Sequence, residues 1–270
     1  MTAALAHDET PSIQRPSALM KTHGRIFVSS AAVAIFLMAW QFLPTLGLVD
    51  IRYTSQPSSV FKTAINILLN DNLGHHAYVS FMEFIAGFGL AVVIGIPVGI
   101  VFGSVKMLRQ IVDPPLMALN MMPRLALLPI LAVWLGIGMA SKIAVVFLGA
   151  VMPIIVNTMA GVRETDARLV LAARSFGATH LDIFIRILLP GSLPAVIMGI
   201  RLGIGRAILG VVVGEMYVAE AGIGFQIVTY GSSMRIDYLL VYTLLIAGFG
   251  YLLTSAARML ENHLSTWRPL

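Results

Sequence analysis

The chain contains no cysteine and carries little charge. None of its 270 residues is Cys, and only 11% are Asp, Glu, Lys or Arg. The lack of cysteine excludes disulfides, cysteine-ligated zinc and thiol catalysis. Soluble domains typically carry about 25% charged residues, whereas here 58% of the residues are hydrophobic and the mean hydropathy is +0.88. The composition therefore predicts an integral membrane protein.

Motifs for nucleotide, metal and nucleic-acid binding are also lacking. Lys21 and Thr22 are not preceded by the glycine of a phosphate-binding loop, so any ATP must be hydrolysed by another polypeptide. His75 and His76 are adjacent, so they point to different faces of a helix and predict no metal site. The net charge of +5 is spread between apolar runs, which argues against nucleic-acid binding. We expect no cofactor in this chain.

Apolar runs long enough to cross a bilayer, which takes roughly 20 residues, are instead abundant. We predict an all-α fold with six membrane spans, at residues 26–46, 78–103, 116–135, 143–162, 195–218 and 238–257.

The distribution of basic residues predicts the orientation of these spans. Cytoplasmic loops of membrane proteins are enriched in Lys and Arg. We predict a cytoplasmic N-terminal tail (1–25), retained rather than cleaved, a membrane domain (26–258) and a cytoplasmic C-terminal tail (259–270). The longest cytoplasmic segment is then residues 163–194, which we call the polar loop. The few basic residues expected on the outer side are Arg52, Lys62, Lys142 and Arg235.

The sequence of the polar loop predicts a helix, a sharp turn and a second helix. Gly177 stands where a helix commonly ends in a left-handed cap, and Thr179 with Asp182 resembles a capping box. We expect Pro190 and Pro194 to break the chain before the next span. The first helix carries an apolar stripe at helical spacing, formed by Leu169, Ala172, Ala173 and Phe176.

Five charged residues fall inside predicted spans. Charges in lipid cost about 2.5 to 3.5 kcal/mol even on the lenient insertion scale, so such groups should face protein or a water-filled cavity. They are candidates for a transport path, with structural ion pairing or snorkelling near helix ends as the alternative. Arg206 and Glu215 are nine residues apart, so they point to opposite faces of one helix and cannot pair. The candidates for the path are Glu83, Arg124, Arg206 and Glu215, and the fifth charge is Arg201.

Small residues and prolines predict how the spans pack and bend. Gly95, Gly99 and Gly103 recur every fourth residue, which lets helices approach closely, within one subunit or between two. Pro114 and Pro115, with Pro123, predict that the third span enters the membrane bent.

The polar loop resembles the loop of bacterial binding-protein-dependent ABC transporter permeases, whose pattern is E-A-A-x3-G-x9-I-x-L-P. Leu171 stands in place of the glutamate, so a polar contact made by that side chain is not expected here. Longer stretches are similar to the nitrate, sulfonate and taurine permease subfamily, namely Met122–Gly138, Val151–Gly161 and Val211–Ile227, although Glu83 stands where related sequences often carry arginine. The family positions of the loop are occupied by Ala172, Ala173, Gly177, Ile187, Leu189 and Pro190.

The resemblance implies a type I ABC importer permease fold, MetI-like, in the bacterial inner membrane. It implies a coupling-helix loop that docks on two cytoplasmic ATPase subunits, which bind the ATP and magnesium, and an external solute-binding protein. It also implies a second permease copy, and a chain with its own coupling loop favours a homodimer.

The sequence leaves three possible functions for this chain. The first is a non-catalytic permease subunit of an ABC importer for a small, anionic solute. The second is a stand-alone secondary transporter or channel, which would need no cytoplasmic loop of this kind. The third is an intramembrane enzyme, for which no nucleophile with a base is visible.

Overall fold

A computed structural model describes residues 18–264, and all regular structure within this range is helical. The chain divides into two compact units between Ser58 and Ser59, which are described separately. The helices are α1 (Ala18–Thr45), α2 (Ile51–Thr54), α3 (Pro57–Asn70), α4 (Leu73–Ser104), α5 (Lys106–Met121), a 3-10 turn (Arg124–Leu127), α6 (Leu128–Leu135), α7 (Met139–Arg163), α8 (Ala167–Ser175), α9 (His180–Ile183), a π-helical turn (Phe184–Leu188), α10 (Leu189–Val218), α11 (Ile223–Ser232) and α12 (Ile236–Leu264).

The main element of the first unit is α1. Its segment 27–45 is long and apolar enough to cross a membrane. After this helix the chain turns at Gly47, which has a φ of +71°. The side chain of Asp50 then caps α2 by accepting a hydrogen bond from the Arg52 N–H at 2.9 Å. Of the predicted N-terminal tail, residues 1–17 lie outside the described range, whereas residues 18–25 belong to α1.

The core of the second unit is the packing of α7 between α4 and α10. Glycines make this packing close. A Cβ atom on Gly99 would lie 2.7 Å from Thr158 Cβ, and one on Gly95 would lie 2.9 Å from a methyl group of Ile154. The predicted close approach at these glycines is therefore confirmed, and it occurs within one chain.

The third predicted span is the clearest departure from expectation. Five described helices are long and apolar enough to cross a membrane, and a sixth span exists only if α5 and the segment Arg124–Leu135 count together. These two are bent by 82° at Met122 and Pro123. The predicted bend is confirmed. The helical segment begins earlier than the predicted span 116–135, because α5 starts at Lys106 and continues through Pro114 and Pro115.

The prediction that Pro190 and Pro194 break the chain is wrong. Helical structure runs from His180 to Val218 through both prolines. The Leu189 N–H bonds to the Phe184 carbonyl, five residues back, and this wider turn relieves the clash of a proline ring with the preceding turn. The polar loop is thus joined to α10 by helix rather than by a flexible break. At the other end of the unit, α12 continues to Leu264 into the predicted C-terminal tail, of which residues 265–270 lie outside the described range.

Candidate functional site

The polar loop begins with a capped helix. The Asp166 carboxylate accepts a hydrogen bond from the Arg168 N–H at 2.8 Å and closes the first turn of α8. The Arg168 backbone hydrogen bond, followed by its guanidinium, lowers the pKa of Asp166, because both favour the charged carboxylate. The start of the loop is therefore fixed locally by charge and hydrogen bonding.

The turn after α8 has the hydrogen bonds of a Schellman motif. Gly177 has a φ of +77°, its N–H bonds to the Arg174 carbonyl at 2.9 Å, and the Ala178 N–H bonds to the Ala173 carbonyl at 3.0 Å. Directly after it, Thr179 and Asp182 form a capping box. The predicted helix, turn and helix are confirmed, which makes the polar loop a structured unit.

The apolar stripe of α8 has no cover within the second unit. Phe176 is 90% exposed, Leu169 is 56% exposed, and Ala172 is exposed as well, while Ala173 is half-buried. The remaining family positions, Ile187, Leu189 and Pro190, are half-buried where the loop joins α10. The loop therefore presents an apolar surface on a rigid base.

A different set of charges lies inside the bundle. Glu83 on α4 and Lys142 on α7 form an ion pair, and both side chains are almost fully buried. Lys142 was predicted only as one of the few basic residues on the outer side of the membrane. The structure adds its partner: the Lys142 ammonium faces the Glu83 carboxylate of α4.

Glu215 on α10 is fully buried beside this pair. Its carboxylate accepts hydrogen bonds from the Ser80 hydroxyl at 2.5 Å and from the Gly224 N–H at 2.7 Å. Ser80 in turn accepts one from the Ile223 N–H at 2.9 Å. A Cβ on Gly224 would lie 2.5 Å from the Val212 carbonyl oxygen, so this glycine lets the turn after α10 approach the carboxylate.

These residues form what we call the buried ion cluster, which consists of Glu83, Lys142, Glu215 and Ser80. The two carboxyl groups and the ammonium group interact with one another electrostatically. The cluster joins α4, α7 and α10 to the start of α11. Sequence reasoning found both carboxylates but missed Ser80 and the pairing of Lys142. The sequence signal for this contact was the turn at Gly222 and Gly224, where glycine allows a backbone N–H to lie close to Glu215.

Arg124 lies at the bend between α5 and α6. Its guanidinium donates to the Gly149 carbonyl at 3.3 Å, and to the carbonyl and side-chain oxygens of Asn120 at 2.9 and 2.8 Å. Gly149 is near the middle of α7, so the guanidinium sits far from either end of that helix. All three acceptors are neutral oxygens.

Arg206 lies near the middle of α10 and is exposed. The α7 and α10 backbones approach closely here, since a Cβ on Gly149 would lie 3.1 Å from the Arg206 carbonyl oxygen. Arg206 and Arg124 line one cavity of about 340 Å³, together with Asn120, Met121, Met122, Pro123, Leu125, Val145, Gly149, Leu209 and Gly210. We call this the arginine cavity.

The four path candidates thus separate into two groups. Glu83 and Glu215 are fully buried, while Arg124 and Arg206 share an open cavity. As predicted, Arg206 and Glu215 do not pair although they share α10. The fifth charge, Arg201, forms a structural ion pair with Glu261 on α12 at 2.9 Å, which is the alternative to a place in the transport path.

The chain combines several helices that can span a membrane with a cavity lined by charged residues and a structured polar loop. This combination is typical of a membrane transport component. Residues 91–266 match the family model described as binding-protein-dependent transport system inner membrane component. The chain belongs to this family, and it is therefore the permease component of an ABC importer.

Curated relatives agree with this assignment over most of the chain. The taurine transport system permease protein TauC of Escherichia coli (strain K12) is 30% identical over 248 residues, which is 90% of each chain. A Bacillus subtilis (strain 168) protein named as the aliphatic sulfonates transport permease SsuC is 32% identical and covers 87% of this chain and 85% of its own. The nitrate import permease protein NrtB of Synechocystis (strain PCC 6803) is 30% identical, over 88% of this chain and 89% of its own.

Solved structures support the fold. A chain of the MetNI methionine ABC transporter in an inward-facing conformation superposes with a TM-score of 0.61 at 22% identity. The match covers 69% of this chain and 93% of that chain. The MetI-like permease fold implied by the polar loop is confirmed.

Proposed function

We propose that this permease forms the pathway for a small anionic solute, such as taurine, another sulfonate or nitrate. The solute is delivered by a separate binding protein, and the energy comes from two separate ATPase subunits that hold ATP and magnesium. The chain itself is non-catalytic. The names of the curated relatives support this class of solute, and so does the presence of two guanidinium groups in one cavity.

The polar loop is the proposed docking site for the ATPase. The observation that carries this is the 90% exposure of Phe176 at the end of a capped helix. Full burial of such a side chain contributes roughly 2 to 3 kcal/mol to an association. A large exposed aromatic side chain on a rigid base is typical of an interface anchor.

The route by which docking reaches the pathway is the helix that follows the loop. Helical structure runs from His180 to Val218 and carries both Arg206 and Glu215. Closure of the ATPases would move the two loops of the transporter as rigid bodies, and α10 would transmit that movement to the cavity. Docking of the binding protein outside would favour the same state.

A second copy of this chain completes the proposed pathway. Arg206 is exposed near the middle of a membrane-spanning helix, and an arginine is costly in lipid. A homodimer in the bacterial inner membrane, with both termini cytoplasmic, places this side chain toward a shared aqueous path. The bias of basic residues toward the polar-loop side supports that orientation.

The test is retention of the ATPase by the purified permease. A tagged full chain is co-expressed with its ATPase subunit, as wild type and as Phe176→Ser. The matched control is Met107→Ser, which removes another apolar side chain, 73% exposed, at the start of α5 on the same predicted side. We expect at least about thirtyfold weaker association for Phe176→Ser, because the burial of one aromatic side chain is lost.

The control should retain the ATPase as wild type does. If Phe176→Ser binds the ATPase as tightly as wild type, the polar loop is not the docking site. If wild type retains no ATPase and still transports solute in proteoliposomes, the stand-alone transporter replaces the ABC mechanism.

A further inference from the structure

The arginine cavity contains two positive charges and no negative one. Arginine stays protonated at any physiological pH, and the residues that line the cavity include neither Asp nor Glu. Among residues 27–262, neither Arg124 nor Arg206 has a carboxylate within ion-pair distance. The other embedded cations of the bundle, Lys142 and Arg201, each have one.

Two guanidinium groups without a counter-charge share this cavity of the membrane bundle. Arg124 is half-buried and loses hydration, Arg206 is exposed, and their like charges face each other across the cavity. The hydrogen bonds that Arg124 makes to neutral oxygens orient its side chain but supply no counter-charge. The missing component is an anion, and an oxyanion matches a guanidinium group best because its oxygens accept parallel N–H bonds.

We propose that Arg124 and Arg206 bind the oxyanion group of the transported solute inside the membrane, with Asn120 holding Arg124 in place. This inference rests on the proposed function and adds a binding site to it. The site would hold the solute between its release from the binding protein and its exit, so the pathway is not a passive channel. The close approach of α7 and α10 at Gly149 and Arg206 fixes the backbone around it.

The cavity also defines the class of solute. Apart from the two arginines and Asn120, its side chains are apolar, including Met121, Met122 and Leu209. The residues that line the cavity offer no carboxylate to an ammonium group. The site therefore fits an oxyanion that carries a short apolar group, such as an alkanesulfonate, better than an amino-sulfonate such as taurine, and better than nitrate, which has no apolar part.

Direct binding to the full chain in lipid nanodiscs tests the site, with the ATPase present where a complex forms. The probes are ethanesulfonate, taurine and nitrate, measured by calorimetry without binding protein. The first variant is Arg206→Gln. The second is Asn120→Asp, which is nearly isosteric and places a carboxylate 2.8 Å from Arg124, so the protein itself supplies the counter-charge. The control is Arg201→Gln, on the same helix but outside the cavity.

We expect both cavity variants to bind ethanesulfonate at least about tenfold more weakly. Arg206→Gln removes one charge-assisted hydrogen bond to the anion, and Asn120→Asp neutralises the positive charge of Arg124. The control should bind as wild type does. Taurine and nitrate should bind wild type more weakly than ethanesulfonate, and Met121→Glu should raise taurine binding relative to ethanesulfonate.

Unchanged binding in both Arg206→Gln and Asn120→Asp, or no ethanesulfonate binding by folded wild type, would overturn the site. Equal binding of taurine and ethanesulfonate would overturn the solute class. These outcomes are distinct from failure of the proposed function, because that failure shows as loss of the ATPase complex while the binding measurement needs no ATPase.

Discussion

The membrane bundle contains two groups of embedded charges, and they are built differently. In the buried ion cluster, Glu83 faces Lys142, and Glu215 accepts hydrogen bonds from Ser80 and from the backbone. In the arginine cavity, the Arg124 guanidinium bonds only to neutral oxygens, and the exposed Arg206 lines the same cavity. In the first group each charged side chain has a partner within the chain, whereas in the second neither arginine has a carboxylate partner among residues 27–262.

This difference predicts separate roles for the two groups. Removing one partner of a buried ion pair is strongly destabilising, so we expect the paired charges to hold the helices together. On the proposal above, a charge without a partner in an open cavity is available to a solute. Embedded charge alone does not mark a transport path, because it can be paired within the chain, as Glu83 and Lys142 are.

The largest effect should follow from removing the shared cation of the buried cluster. Lys142→Met leaves the Glu83 carboxylate buried without its ion-pair partner, and breaking such a pair typically costs about 3 to 5 kcal/mol. We expect a loss of this size in the free energy of unfolding, measured by SDS titration of the purified chain in mixed micelles. The double variant Glu83→Gln, Lys142→Met removes both charges and should regain most of the loss. If the single variant is as stable as wild type, the cluster is not a structural element and the contrast with the arginine cavity disappears.

A smaller loss is expected at Ser80, the polar link between the cluster and the turn after α10. Its hydroxyl donates to Glu215 and accepts from Ile223. Ser80→Ala leaves a buried carboxylate oxygen and a backbone N–H without these bonds, at a cost of about 1 to 3 kcal/mol in the same unfolding measurement. Ser104→Ala is the control, since that exposed hydroxyl bonds only to the carbonyl four residues earlier in its own helix. Equal stability of the two variants would mean that Ser80 does not support the cluster.

The sequence predicted well those features that depend on neighbouring residues. The turn at Gly177 and the capping box of Thr179 and Asp182 are signals within a few positions, because backbone sterics and local hydrogen bonds decide them. The bend at Pro123 was predictable for the same reason. The continuation of α10 through Pro190 was not, because the π-helical turn that accommodates the proline has no comparable signature.

Features that depend on which helix faces meet could not be predicted. Glu83 and Lys142 are 59 positions apart, and Arg124 and Arg206 are 82 apart. Helical periodicity shows that Arg206 and Glu215 point to opposite faces, but not what each face meets. The four path candidates therefore stood as one set in the sequence and separated only when the packing of α4, α7 and α10 was known.

The smallest effect on stability should come from Arg206. Its exposed side chain has no ion-pair partner among residues 27–262, so Arg206→Gln should change the free energy of unfolding by no more than about 0.5 kcal/mol. Arg201→Gln provides the comparison on the same helix, because it breaks the half-buried pair with Glu261 and should lower stability measurably. A loss for Arg206→Gln as large as that for Lys142→Met would assign Arg206 to the framework of the bundle. An unchanged stability together with weaker sulfonate binding would identify Arg206 as a residue that serves the ligand rather than the fold.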